Sequence, residues 1–114
     1  MLDVLILERD PIISLDLADA AQTADPNARV RIIDRATAIP EMRYTHAFLR
    51  AGPGTKRLAR RLSARGARVF LLGEDRLPRE LAAMPCMTAV PFPFTAAQLA
   101  RYLQVPPDPE SRAS

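Results

Sequence analysis

Three short stretches of the chain carry side chains whose types and spacing could do chemistry. The first is Glu8-Arg9-Asp10, two carboxylates around a guanidinium at the end of the apolar run Val4, Leu5, Ile6, Leu7. Neighbouring carboxylates are what a divalent cation needs, but Arg9 would repel a metal and could instead pair with Glu8. The second is Gly52-Pro53-Gly54-Thr55-Lys56, which invites a phosphate-loop reading but lacks the G-x-x-x-x-G-K-[ST] spacing. A tight turn into a helix capped by Thr55 explains it, and an anion held there by Lys56, Arg50 and Arg9 is the weaker expectation. The third is the arginine series Arg57, Arg60, Arg61, Arg65. It could meet nucleic acid, but no aromatic residues are interleaved, and a solvated helix face accounts for it. His46 has no second ligand at metal spacing. Cys86 has no thiol partner and is expected to act as a small buried hydrophobe. No metal, cofactor or catalytic residue is expected.

The composition narrows the class. A chain of 114 residues suits one compact domain. Hydrophobic residues make up 48% and charged residues 25%, which excludes a disordered segment. No apolar run approaches the roughly 18 residues of a membrane span. The first residues read as a strand rather than a signal peptide, so a cytoplasmic location is expected. Lys56 is the only lysine among 16 basic residues, and a formal charge of +3 is a weak reason to expect nucleic acid.

The elements that must position these residues alternate between strand-like and helical patterns, which predicts a parallel sheet with helices on both faces. Asp3–Leu7 reads as a strand buried on both sides. Asp10 and Pro11 then open a helix whose apolar face holds Ile13, Leu17, Ala20, Ala21 and Ala24. Val30–Ile33, interleaved with Arg29 and Arg31, reads as an edge strand. A weak helix is expected from about Ala36 to Arg43, interrupted by Pro40. His46–Leu49 is a third strand, followed by a helix from Thr55 to about Arg65, with Leu58, Ala59 and Leu62 inward and Gly66 as its stop. Arg68–Leu72 is a fourth strand. A short helix around Leu77–Met84, a fifth strand at Thr88–Val90 and a last helix opened by the Thr95/Gln98 capping box complete the pattern. The domain is read as residues 1–104, with a disordered proline-rich tail over 105–114.

In open α/β sheets, ligands bind at the carboxyl ends of the strands, where the order reverses. The strand exits are Glu8-Arg9-Asp10, Arg50-Ala51, Leu72-Gly73 and Phe92-Pro93. Here the chain resembles response-regulator receiver domains. Val4-Leu5-Ile6-Leu7-Glu8-Arg9-Asp10-Pro11 is similar to their first strand and acidic loop. Val69-Phe70-Leu71-Leu72-Gly73 is similar to their fourth strand, and Val90-Pro91-Phe92-Pro93-Phe94-Thr95 to the segment that leads into their last helix. The resemblance covers residues 2–104. It implies a flavodoxin-like, CheY-like three-layer sandwich with a five-stranded parallel sheet in the order 2-1-3-4-5.

Receiver chemistry needs carboxylates for Mg²⁺, an aspartate that accepts the phosphoryl group, a lysine and a switch hydroxyl. By resemblance, Glu8 survives from the acidic pair and Arg9 replaces its second member. The acceptor position falls on Ala51, or on Arg50 if the register slips by one. Leu72 stands for the hydroxyl, Phe92 for the lysine and Ala89 for the aromatic switch. Pro93 is expected to follow a cis bond, and Phe92 either enters the old pocket or adds to an apolar surface. The resemblance therefore implies a degenerate receiver that signals or scaffolds without phosphorylation and is not an enzyme. Its partner would be a protein: a histidine kinase, a phosphotransfer protein, another response regulator or a second copy. The surface would be either the first helix near Ile12 with the strand exits, or the face around Phe92, Arg101 and Tyr102. The alternative is an anion- or nucleic-acid-binding module that uses the arginine-rich helix.

Overall fold

The computed structural model describes residues 1–36, 39 and 43–104. Its strands are β1 (Asp3–Leu7), β2 (Arg29–Ile33), β3 (His46–Arg50), β4 (Arg68–Leu72) and β5 (Met87–Val90). They form one parallel sheet in the order β2-β1-β3-β4-β5. The helices are α1 (Pro11–Ala24), α2 (Thr55–Ala64), α3 (Arg79–Ala82) and α4 (Ala96–Tyr102). This is the parallel sheet with helices on both faces that the strand and helix patterns predict, in the flavodoxin-like order that the resemblance implies. The expected helix from Ala36 to Arg43 and the tail over 105–114 lie largely or wholly outside the described residues.

The sheet is covered on both sides, and the alternation of a strand sorts its residues between two cores. Val4, Ile6, Phe48, Phe70, Leu72 and Val90 face α1 and α4, where they meet Leu17, Ala21, Leu99 and Leu103. Leu5, Leu7, Ala47, Leu49, Val69 and Leu71 face α2 and α3, where they meet Leu58, Ala59, Leu62 and Leu81. Central strands buried on both sides must be apolar at every position, which is why β1, β3 and β4 read as near-continuous hydrophobic runs. The edge strand β2 keeps its arginines in water.

Local signals set the helix ends. The Asp10 carboxylate accepts the Ile12 N–H at 2.9 Å, with Pro11 as first helical residue. Thr95 and Gln98 make the reciprocal capping box. Thr55 does not cap α2. Gly54 occupies that position with φ of 79°, and the Thr55 hydroxyl instead donates to the Arg50 carbonyl at 2.9 Å. Ala24 also departs from expectation and is exposed, as is Cys86, which adopts a left-handed φ of 60°.

His46 is 1% exposed, stacks on Phe70 and sits 2.9 Å from the Thr45 hydroxyl. Its pKa is lowered to about 4, first by loss of solvation and then by the Arg68 guanidinium, while the carbonyls of Gln104 and Tyr102 act in the other direction. A base that is harder to protonate in the folded chain loses stability for the fold as pH drops. The loss begins near the ordinary histidine value of 6.5 and ends near pH 4. Urea unfolding should therefore show a stability about 2 kcal/mol lower at pH 5 than at pH 7. In His46→Gln, which has no imidazole to protonate, that difference should disappear.

Candidate functional site at the strand exits

The strand alternation continues past the ends of β1 and β3. Val4 and Ile6 lead to Glu8, and His46 and Phe48 lead to Arg50, so both charged residues emerge on the α1/α4 side of the sheet. Leu72 pairs with Arg50 in register. Glu8 and Arg50 meet there across adjacent strands. Arg50 Nε donates to Glu8 Oε2 at 2.7 Å and Nη2 to Oε1 at 3.2 Å, a two-point contact. The Asp10 N–H donates to Oε1 at 3.0 Å. The Glu8 side chain is 3% exposed and that of Arg50 is 38% exposed.

Phe92 closes the cluster. Its ring lies under the Arg50 guanidinium, 4.5 Å from carbon to centroid, and touches Phe94 at 5.6 Å. The Phe92–Pro93 bond is cis. Gly73, with φ of 79°, passes beneath both side chains. A Cβ there would lie 3.1 Å from an Arg50 nitrogen and 3.3 Å from the Phe92 ring, so the close approach of β4 to this pair needs glycine. Leu72 is buried in the core below.

The structure bears on three expectations at this site. Glu8 pairs with Arg50 and not with Arg9, whose Nε instead lies 3.5 Å from the Asp34 carbonyl. The side chain that enters the exit cluster is Arg50, the last residue of β3, while Ala51 starts the loop and is exposed. The cations expected to hold an anion are engaged elsewhere, Arg50 with Glu8 and Lys56 with Glu80 at 3.3 Å. A cleft of about 540 Å³ opens beside the cluster, lined by Glu8, Arg9, Asp34, Arg35, Ala51 and Thr55 among others. Among the described residues, no group of three or more His, Cys, Asp or Glu could hold a metal ion.

The expected contact surfaces divide differently. Ile12 is 70% exposed on α1 and Arg101 is exposed on α4. Tyr102 turns inward, with its ring 4.9 Å from that of Phe70, and belongs to the core wall. Among the described residues no helix is long and apolar enough to cross a membrane. No protein-family model matches the chain, and no curated protein matches its sequence.

The unequal burial of the ion pair sets an unequal cost for losing each member. Arg50→Met leaves a buried carboxylate with one backbone donor, whereas Glu8→Gln leaves a guanidinium that can turn to water. We expect Arg50→Met to lower stability by about 2–4 kcal/mol and Glu8→Gln by about 1–2 kcal/mol, with the double variant recovering part of the larger loss. Denaturant unfolding of the four proteins checks the order.

Proposed function

We propose that this chain is a pseudo-receiver, a signalling or scaffold domain that works by protein–protein interaction and does not catalyse a reaction. The observation that carries this reading is the Arg50 guanidinium, clamped by Glu8 and lying on Phe92 at the carboxyl ends of the strands. Sheets of this order place their ligands there. In a receiver the position would hold an acidic pocket with a metal, an acceptor aspartate and a lysine. Here a cation stands beside Glu8 and a phenylalanine stands at the lysine position. The positive charge that a metal would bring to Glu8 is supplied from within the chain.

A site that carries its own counter-ion has no ligand to wait for, which supports a surface held in one state. The partner would be a histidine kinase, a phosphotransfer protein, another response regulator or a second copy of the chain, in the cytoplasm. A second reading has one observation in its favour: Arg57, Arg60, Arg61 and Arg65 are exposed, with no acidic partner within ion-pair distance among the described residues. Binding of a nucleic-acid backbone through that face would weaken steeply between low and physiological salt.

Incubation with Mg²⁺ and acetyl phosphate, followed by intact-mass measurement, tests the proposal. No phosphoryl adduct should form, and amide NMR spectra should be the same with and without the donor. A stable aspartyl phosphate would overturn the reading.

A further inference from the structure

The two longest helices carry opposite charge. α1, with the sequence PIISLDLADAAQTA, contains Asp16 and Asp19 and no lysine or arginine. α2, with TKRLARRLSA, contains Lys56 and three arginines and no acid. The helices cover opposite faces of the sheet, so their charges cannot neutralise each other within one molecule. In a chain of net charge +3, α1 is an acidic exception.

On that side α1 and α4 enclose a groove of about 860 Å³. Its accessible apolar lining is Phe94 with Ala20, Ala24, Ala96 and Ala100, over the buried Leu99 and Leu103. Its rim holds Asp16, Asp19 and Asp25, and no lysine or arginine lines it among the described residues. Asp25 keeps a full charge, since its carboxylate accepts the N–H groups of Leu2 and Asn27 at 2.8 and 2.9 Å. Outside the groove, Ile12 and Leu15 in the first half of α1 are 70% and 64% exposed. Phe94, before the start of α4, touches Phe92.

An apolar trough with an acidic edge suits a helix that has an apolar stripe flanked by cations, because the stripe supplies the burial and the charges supply register and specificity. Two other occupants fit less well. The chain's own residues 105–114 carry Asp108 and Glu110 against Arg112, a poor match for an acidic rim. The α2 of a second copy matches in charge, but its leucines are buried in its own core and its outer side has no large apolar residue.

We infer that the α1/α4 groove docks a cationic amphipathic helix of a partner protein, with its apolar stripe on Phe94 and the alanines of α1 and α4 and its lysines or arginines beside Asp16 and Asp19. The inference rests on the reading of this chain as a protein-binding domain and names the class of partner.

The test uses the full chain and a fluorescent synthetic amphipathic helix of leucine and lysine at physiological salt. Controls are a leucine–glutamate helix of the same pattern and a scrambled leucine–lysine peptide. The leucine–lysine helix should bind at least about tenfold more tightly than either control, a difference of about 1.4 kcal/mol. Amide shifts in the wild-type protein should cluster on α1 and α4. Asp16→Lys/Asp19→Lys and Ala100→Arg, all at exposed positions, should each weaken binding about tenfold or more. Absence of binding, equal binding of the scrambled peptide, or shifts centred on α2 or the strand exits would overturn the inference. So would a dimer in sedimentation that the Asp16/Asp19 variant dissociates, because the groove would then be a self-interface. These failures leave the phosphodonor result untouched, and a phosphoryl adduct would leave the peptide result untouched, so the two readings fall separately.

Discussion

A carboxylate taken out of water needs a charged or hydrogen-bonding partner, and Glu8 is the point where this sheet meets that requirement. β1, β3 and β4 are buried on both faces, so apolar residues fill their middles. Glu8 is the first polar residue beyond β1, and it is still 5% exposed. Arg50 is the first charged residue after His46 on the neighbouring strand, on the same side of the sheet. The ion pair satisfies that buried group, Arg50 in turn lies over the Phe92 ring, and Gly73 passes close to both side chains.

Much of this fold is legible in the residues. The continuous runs at Val4–Leu7 and Val69–Leu72, the Asp10-Pro11 helix start and the Thr95/Gln98 capping box are local signals, and each acts within a few residues of itself. The site is less legible because its contacts are not local. Glu8 and Arg50 lie 42 positions apart, and Arg9, adjacent in sequence, looks the readier partner until the strands are paired. The choice between Arg50 and Ala51 was nevertheless open to strand parity. Extending the alternation His46, Phe48 by one step selects Arg50. The orientation of Phe92 depends on how a loop passes over Gly73, which no local pattern encodes. Thr55 looks like a helix cap by residue type, yet the glycine before it takes that position and frees the hydroxyl to tie down the end of β3.

The same alternation governs the charge distribution. Because α1 and α2 sit on opposite faces, the arginines of one and the aspartates of the other are separated by an apolar slab. Little screens that separation through the core, whereas ions in solution act on each face independently over roughly 10 Å. The domain thus presents two electrically distinct sides with a self-satisfied strand-exit site between them. Different partners, or one partner and a repelled competitor, could be told apart by which side they approach.

Gly73 and Phe92 also constrain how this chain could change by single substitutions. A carboxylate placed at position 50 would face Glu8 across a gap now bridged at 2.7 Å, beneath an aromatic ring whose face is itself electron-rich. Two like charges in so dry a place repel strongly. An acid at position 50 therefore becomes tolerable only together with a change at Glu8 or the arrival of a new cation, so the clamp ties the identities of two residues 42 positions apart to each other.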